Sequence, residues 1–320
     1  MTAPRLAVVT IVRDRHAHLA GQVLGLRDQQ RSPDCYVVVA IDDPAAHDVV
    51  RELAPAGWDV RTPVIHLRQG RLPLSAARNL GAATAISAGA EHLVFLDVDC
   101  VPSPTLVRRY GEILADAPGV GGPRVVCGDV AYEPPPSLPG ASAGANSRPR
   151  HHPARPPLAA SAIRAVDDVS LFWSLSFAVT ARDFTRVGGF DEDYLGYGAE
   201  DTDFGQRLAR SGGQLLFAGG AGAVHQYHPS PSPPVQHAAD IVVNANVFAD
   251  KWGWWPMQTW LEQFRDRGLV HRRLDGRWET NDGAAQGPNG PGAAPAPLEG
   301  APRGQATSRT TSTLPRVALE

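Results

Sequence analysis

Short runs of aliphatic and β-branched residues alternate with amphipathic segments over the first hundred residues of the chain. The runs predict buried strands at residues 6–12, 36–41, 60–67 and 92–96. The segments between them predict helices at residues 16–30 and 74–88, the second with Ser75 as its N-cap and Gly89 just beyond its end. Strands that alternate with helices predict an α/β fold, with a mainly parallel sheet covered on both faces.

The second half of the chain continues the pattern less regularly. Strands are predicted at residues 174–180, 215–217 and 221–225, and helices at residues 204–211 and 236–252. Residues 133–161 interrupt the pattern with prolines and the basic cluster Arg148, Arg150, His151, His152 and Arg155. This segment predicts a flexible loop, either a functional lid or a solvated insertion. Residues 275–320 are rich in Gly, Ala, Pro, Ser and Thr and predict a disordered tail.

Composition narrows the class of protein. Of the 320 residues, 43% are apolar and 20% are charged, as in a soluble globular protein. The net charge of −3 gives no reason to expect nucleic-acid or membrane-surface binding. Cys35, Cys100 and Cys127 lack the spacing of a disulfide framework or a zinc knuckle. No apolar run is long enough for a signal peptide or a transmembrane segment, so we expect a cytoplasmic protein.

Two carboxylates follow the predicted strand at residues 92–96 directly: Asp97 and Asp99. Ligands of open α/β sheets bind beyond the carboxyl ends of the strands, and Asp42 and Asp43 lie at another such end. Two carboxylates one residue apart can face one Mg²⁺ or Mn²⁺ ion when the chain turns. The same pair could form a polar turn, and the motif alone does not decide between the two.

Acidic and imidazole groups recur further along the chain. Glu200 and Asp201 open a predicted helix, where acidic residues act either as helix-terminal partners or as a general base. His225 and His228 follow a short predicted strand, and either histidine would favour Mn²⁺ over Mg²⁺ if it were a ligand. Each group has an ordinary structural explanation when it is considered alone.

In chain order these segments resemble the GT-A glycosyltransferases, in particular family 2 and the galactosyltransferase type. The resemblance rests on VVTIVRDR, VVVAIDD, LSAARNLGAATA, LVFLDVDCVP, SLSFAVTARDF, GYGAEDTDFGQRL, VHQYH and NANVFADKWG, over about residues 5–255. It implies a Rossmann-like mixed sheet flanked by helices. It also implies one domain at residues 1–274, with a nucleotide-sugar half at about 1–130 and an acceptor half at about 160–260.

The resemblance implies an inverting, metal-dependent transfer of a sugar from a nucleotide-diphosphate sugar, with a UDP-linked donor favoured. The acceptor would be a hydroxyl of a carbohydrate, a lipid-linked molecule or a small molecule. Asp201 would be the general base and Glu200 would bind the acceptor. Mn²⁺ or Mg²⁺ would be held by Asp97, Asp99 and His225, with His228 as the alternative imidazole. The implied donor contacts are Thr10, Arg13, Asp42, Asp43, Arg78, Asn79 and Asp97, and the implied acceptor contacts are Trp173, Tyr197 and Gly198.

Two other functions compete with this interpretation. A nucleotidyltransferase also combines a parallel sheet with carboxylates and a divalent ion. Such enzymes carry a glycine-rich basic loop after the first strand, whereas VRDRHAHL contains no glycine. A non-catalytic sugar- or nucleotide-binding homologue is the second alternative, although every expected acidic group is present. Tyr197 and Ala199 stand where the family more often has Trp and Gly, which leaves the acceptor open.

Overall fold

The computed structural model describes residues 3–116, 121–136 and 148–281. In this part of the chain the strands are β1 (Leu6–Val12), β2 (Cys35–Ile41), β3 (Val60–Arg61), β4 (Val64–Ile65), β5 (His92–Leu96), β6 (Cys100–Pro102), β7 (Arg124–Tyr132), β8 (Arg150–His151), β9 (Ile163–Val166), β10 (Ser176–Thr180), β11 (Gln214–His225), β12 (Val270–Arg272) and β13 (Trp278–Thr280). The α-helices are α1 (His16–Arg27), α2 (Ala45–Leu53), α3 (Leu74–Ser87), α4 (Leu106–Ala115), α5 (Ala181–Val187), α6 (Glu200–Arg210), α7 (Ala238–Trp252) and α8 (Gln258–Asp266).

One mixed sheet organises the molecule, with the strand order β3-β2-β1-β5-β10-β7-β11-β6. β1 pairs in parallel with β2 and β5, whereas β10 runs antiparallel to β5 and β7. The carboxyl ends of β1, β2 and β5 therefore lie side by side. Asp42 and Asp97 each follow one of these ends, which is where ligands of such sheets bind.

Both faces of the sheet are covered, and its central strands β1, β2 and β5 are buried at nearly every position. Leu6 and Val8 of β1 pack in a cluster with α1, α2 and α4. Ala7 and Val9 pack on the other face with α3, α5 and α6. α3 approaches β1 closely at Gly81, where an added Cβ would overlap the Val9 side chain. The predicted two-sided α/β architecture is confirmed.

A third apolar cluster joins α7, α8 and the β12–β13 hairpin around Tyr197. Trp278 of β13 is buried there, and its backbone exchanges two hydrogen bonds with the Asn246 amide, at 2.8 and 3.1 Å. The predicted tail boundary at residue 275 is therefore too early. Asp275 and Gly276 belong to the polar turn of this hairpin. Polar and glycine residues are common both in turns and in disordered tails, which is why the predicted boundary falls here. The predicted tail beyond Asn281 lies outside the described residues.

Other local predictions are corrected by the structure. α2 and α4 are not among the predicted elements, and the strand predicted at residues 60–67 is divided into β3 and β4. The strands predicted at 215–217 and 221–225 form the single strand β11, which carries a bulge between Ala218 and Ala223. Pro73, not Ser75, is the N-cap residue of α3, and no side chain caps that helix. None of the described helices combines the length and the apolar character needed to cross a membrane.

The predicted loop at residues 133–161 lies partly outside the described residues, at 137–147. Its second half packs against the sheet. β8 pairs with the end of β7, and His151 Nδ1 lies 2.7 Å from an Asp129 carboxylate oxygen. His152 and Arg155 are buried, so part of the basic cluster is not a solvated insertion.

Candidate active site

Three side chains that could bind one metal ion meet beyond the end of β5. Asp99 lies in the turn between β5 and β6, and His225 is the last residue of β11. Since β11 pairs with β6, His225 lies opposite Cys100 and therefore beside Asp99. The Nε2 atoms of His225 and His228 are each 3.5 Å from an Asp99 carboxylate oxygen. The candidate ligand atoms of all three residues lie within 4.8 Å of one another.

The chemistry of these residues fits a divalent transition metal. The buried Nε2 atoms of His225 and His228 have no hydrogen-bond partner among the described residues, a costly arrangement unless a ligand supplies one. Burial lowers the pKa of His225 below its ordinary value, which favours the neutral imidazole that binds metals. One carboxylate with two imidazoles suits Mn²⁺ better than Mg²⁺. Asp97 lies outside this group, and its predicted share in metal binding stays a prediction.

Arg15 contacts the same carboxylate from another side. Its Nη1 donates to Asp99 Oδ2 at 3.2 Å, and both side chains are buried. Burial alone would raise the pKa of Asp99, but His225, His228 and Arg15 together hold it well below its usual range. The carboxylate is therefore ionised at neutral pH and available to a cation.

Arg78 links two acidic side chains that come from different elements. Its Nη2 lies 3.4 Å from Asp97 Oδ1, and its Nη1 lies 3.6 Å from Glu200 Oε1. Burial raises the pKa of both carboxyl groups to about 7, with Arg78 opposing the shift, and the charge of Asp201 adds to the shift of Glu200. One buried guanidinium thus serves two carboxyl groups, each of which is only partly ionised at neutral pH. Arg78 is not a surface residue, because its side chain is only 4% exposed.

The two carboxylate oxygens of Asp201 differ in their hydrogen bonds to the described residues. The backbone N–H and the hydroxyl of Ser174 both donate to Oδ2, at 2.9 and 3.1 Å. Oδ1 is buried and accepts no hydrogen bond from any residue that the structure describes. An acidic oxygen of this kind can accept a proton from a hydroxyl that is placed beside it.

The glycine-rich turn before α6 sets the position of Glu200 and Asp201. Gly196, Gly198 and Ala199 have φ angles of 76°, 102° and 73°, in the left-handed region that disfavours a side chain. Asp240 accepts from the Tyr197 backbone N–H at 3.3 Å and holds this turn against α7. Ala199 therefore occupies a strained position, which explains why glycine suits it better.

The predicted donor contacts near β2 differ in the solvent exposure of their side chains. Asp42 is one-third exposed and accepts from the Leu67 backbone N–H at 2.8 Å. An Arg13 Nη1 atom lies 3.9 Å from Asp42 Oδ2. Asp43 is buried and accepts from the Asp14 backbone N–H at 2.8 Å. Asp42 and Arg13 can therefore reach a ligand more readily than Asp43.

Two other predicted donor contacts are engaged within the protein. Thr10 is buried, and its Oγ1 lies 2.7 Å from Gln22 Oε1 and 3.0 Å from the carbonyl oxygen of Leu96. The Asn79 amide exchanges hydrogen bonds with the Phe190 backbone, at 2.9 and 2.8 Å. These contacts support the strand ends and the α5–α6 connection. The donor roles of Thr10 and Asn79 stay predictions.

The predicted acceptor contacts lie close along the chain to Asp201 or to its partner Ser174. Tyr197 is largely buried, and its ring stacks on His237 with a centroid distance of 4.7 Å. A Cβ added at Gly198 would lie 3.2 Å from the sulfur atom of Met257. Trp173 directly precedes Ser174 and is also largely buried. Their acceptor roles stay predictions.

The sequence assigned no role at this site to several residues that the structure places here. Arg15 and Ser174 contact Asp99 and Asp201 directly, and Arg155 stacks on Trp173. The sequence shows the basic cluster around Arg155, but it does not show that the Arg155 side chain is buried. Ser75, inside α3, has a buried hydroxyl without a hydrogen-bond partner within the described ranges.

Comparisons with known proteins agree with this architecture. The family described as N-terminal domain of galactosyltransferase matches residues 155–229. Two curated relatives are named validoxylamine A glucosyltransferase, from Streptomyces hygroscopicus subsp. limoneus and subsp. jinggangensis (strain 5008). Each is 30% identical over 227 residues, which cover 65% of this chain and 49% and 52% of the relatives. The chain thus spans about half the length of the curated relatives it matches.

Among solved structures, the mannosyltransferase PcManGT from Pyrobaculum calidifontis, in complex with GDP-Man and Mn²⁺, has a TM-score of 0.50 and 16% identity. The match covers 80% of this chain and 67% of that protein. This similarity bears out the predicted GT-A fold. The family described as Glycosyl transferase family 2 matches residues 7–168, which is half of the chain. The protein is therefore a GT-A member of glycosyl transferase family 2.

Proposed function

We propose that this protein transfers a sugar from a nucleotide-diphosphate sugar to an acceptor hydroxyl, with inversion at the anomeric carbon and with a divalent metal. The observation that carries the proposal is the pairing of two sites. Asp99, His225 and His228 offer ligands for one ion, and Asp201 offers a carboxylate oxygen that accepts no hydrogen bond from the described residues. Inverting glycosyl transfer can use both features, because an ion would stabilise the leaving diphosphate while the carboxylate takes the proton of the acceptor hydroxyl.

Asp201 is the general base of this proposal. Ser174 fixes its orientation through Oδ2, so Oδ1 can accept the proton of the acceptor hydroxyl as that oxygen attacks the anomeric carbon. Glu200 is partly protonated at neutral pH and can hydrogen-bond the acceptor. Such a base supplies one proton transfer and leaves a single displacement step, and a single displacement inverts the anomeric carbon.

Asp99, His225 and His228 would hold the metal ion, and their mixture of oxygen and nitrogen ligands favours Mn²⁺. When bound, the ion would supply Lewis-acid stabilisation of the leaving nucleotide diphosphate. Arg78 and Asp97 lie between this group and Glu200, so they are placed to contact the sugar or the ribose. The solved mannosyltransferase contains Mn²⁺ with its nucleotide sugar, which supports this choice of metal.

The nucleotide would lie over the carboxyl ends of β1 and β2, where Asp42 and Arg13 are accessible. A UDP-linked donor and a carbohydrate, lipid-linked or small-molecule acceptor remain the proposed substrates, and the cytoplasm remains the proposed location. The two curated relatives are named validoxylamine A glucosyltransferase, which supports the transfer of a sugar to an acceptor.

Thermal unfolding in the presence of nucleotide sugars tests the donor and metal parts of this proposal together. A ligand at 100 times its dissociation constant stabilises a protein by about 2.7 kcal/mol. UDP-sugars and GDP-sugars are titrated with Mn²⁺, with Mg²⁺ and with EDTA. We expect Tm to rise with one donor class and only in the presence of the metal. A response to free sugar that does not depend on metal would instead indicate a carbohydrate-binding protein.

The stereochemistry is then read by NMR of the product formed with the donor that binds. A donor sugar linked α to its diphosphate should yield a β-linked product. Retention of the anomeric configuration would contradict a single displacement that uses Asp201 as its base.

A further inference from the structure

Arg155 is a buried cation that the proposed mechanism does not use. The residue follows β8 and is only 7% exposed. Its guanidinium carbon lies 4.6 Å from the ring centroid of Trp173 and 4.8 Å from that of Phe217. Its Nε, Nη1 and Nη2 atoms have no oxygen or nitrogen acceptor within residues 3–116, 121–136 and 148–281.

Aromatic rings stabilise a guanidinium through its faces, but they leave the N–H groups at its edge unsatisfied. A buried charge without a hydrogen-bonded partner is costly. The Cys127 thiol lies beside the cation, but burial raises the pKa of Cys127 against the influence of Arg155. The thiol therefore stays neutral and supplies no counter-charge. The edge of this guanidinium thus needs an anionic partner from outside the described residues.

The position of Arg155 points to the acceptor and not to the nucleotide. Cys127 of β7 pairs with Phe177, which pairs with Phe95 on the strand that leads to Asp97. Arg155 therefore lies on the β10–β7 side of β5, whereas the nucleotide side is formed by β1 and β2.

Trp173 connects Arg155 to the proposed base. It is the residue before Ser174, whose amide and hydroxyl hold Asp201. Trp173 Nε1 is also buried and has no acceptor in the part of the chain that the structure describes. The Trp173 ring thus contacts Arg155, and the residue after it holds the carboxylate that would deprotonate the acceptor.

We propose that Arg155 and Trp173 bind an anionic oxygen group, a carboxylate or a phosphate, carried by the acceptor. This inference rests on the proposed function and defines the acceptor class further. The planar guanidinium binds such groups through two parallel hydrogen bonds, and the indole N–H adds a third donor. A site with buried donors of this kind discriminates strongly against analogues that lack the matching group.

Calorimetry tests the proposal without turnover. The probes D-glucuronate, D-glucose 6-phosphate and D-glucose are titrated into the protein in the presence of Mn²⁺ and UDP. A charge-assisted hydrogen bond predicts that one anionic probe binds about tenfold or more tightly than D-glucose. The identity of the better probe separates a carboxylate from a phosphate.

Variants assign this preference to the residues. Arg155→Met should abolish the preference while the affinity for UDP and Mn²⁺ is retained, and Trp173→Phe should weaken it. Arg164→Met is the matched control, because the exposed Arg164 guanidinium lies over the same Phe217 ring at 5.8 Å. Arg155→Lys keeps the charge but not the planar fork, and it replaces Arg155→Met if circular dichroism shows that the methionine variant is unfolded. The lysine variant should also bind the anionic probe more weakly.

Equal affinity of the wild type for charged and neutral probes would overturn the proposal, as would an unchanged preference in the folded Arg155 variant. Weakened binding of UDP and Mn²⁺ with an unchanged probe preference would assign Arg155 to the donor and also overturn it. If the wild type does not bind UDP with Mn²⁺, the proposed donor function fails instead, and the probes are then titrated alone.

Discussion

Ser174 donates both its backbone N–H and its hydroxyl to one oxygen of Asp201, at 2.9 and 3.1 Å. Two donors on a single oxygen fix the plane of the carboxylate and leave its other oxygen, Oδ1, without a hydrogen-bond partner among the described residues. The relationship explains how a residue in the first turn of α6 can hold a defined orientation. Oδ1 is therefore the oxygen that the proposed base would use.

Replacing Asp201 with Asn should reduce kcat by about 10²–10⁴-fold, the usual contribution of a general base. The amide keeps an oxygen that can accept from Ser174 but cannot take up a proton, so nucleotide-sugar affinity should change little. Steady-state kinetics and donor titration provide the two readouts. The exposed Asp193, substituted by Asn, is the matched control and should retain wild-type kcat. Normal transfer by Asp201→Asn would refute the base assignment.

Asp99→Ala should abolish metal-dependent nucleotide binding, because this carboxylate contacts both candidate histidine ligands. Calorimetry of UDP binding in Mn²⁺ and in EDTA measures the effect. Asp129→Asn is the control: Asp129 of β7 pairs with His151 of β8, and it is not one of the three candidate ligands. Unchanged Mn²⁺-dependent affinity in Asp99→Ala would place the ion elsewhere.

His228→Asp should shift the metal preference from Mn²⁺ towards Mg²⁺. The change replaces an imidazole nitrogen with the oxygen ligands that Mg²⁺ prefers, and it leaves Asp99 and His225 in place. The ratio of the dissociation constants for the two ions, measured with UDP present, is the readout. His237→Asp, on the turn before α7, is the control and should leave that ratio unchanged. A ratio unaltered by His228→Asp would exclude His228 as a ligand.

Glu200 should make the protein less stable as pH rises. Its pKa is raised from an ordinary 4.5 to about 7, so between these pH values the folded protein binds more protons than the unfolded chain. The free energy of unfolding therefore falls with increasing pH across this window. Tm of the wild type should fall relative to that of Glu200→Gln between pH 5 and pH 8. The exposed Glu52, substituted by Gln, serves as the control, and a parallel pH profile for Glu200→Gln and wild type would contradict the shift.

Gly196 and Gly253 provide a matched pair of substitutions, because both have a φ of 76°. Gly253→Ala meets open space, so it should cost only the left-handed backbone strain of about 1–2 kcal/mol. Gly196→Ala should cost more, since the added Cβ would overlap the Asp240 carboxylate that holds the turn before α6. Chemical denaturation measures both values. Equal losses of stability would show that the turn yields without disturbing Asp240.

The sequence predicts the parts of this molecule that depend on local pattern. The apolar run at 92–96 and the two aspartates after it are contiguous, so the sequence predicts both the strand and the position of the two carboxylates at its end. Family membership and the GT-A fold are confirmed on the same residues. The roles of Asp97, Asp99 and Asp201 in catalysis stay predictions, although the structure brings these residues to one region.

The remainder depends on contacts between distant segments. Arg15 and Asp99 are 84 positions apart, and Ser174 and Asp201 are 27 apart. A local pattern of residues therefore cannot predict either contact. The basic segment around Arg155 resembles a solvated loop by composition, yet two aromatic rings from different elements enclose that side chain. Such burial is decided by the tertiary packing and not by the segment itself.

The contact between Arg15 and Asp99 has a consequence for the proposed metal binding. Since a guanidinium already neutralises Asp99, a divalent ion held by Asp99, His225 and His228 would have to displace part of an existing ion pair. The apparent affinity of the protein for the ion would then be the affinity of Asp99 for the ion less its affinity for Arg15, and it should rise when Arg15 is shortened. Without the ion, Arg15 keeps Asp99 from standing as an uncompensated buried charge.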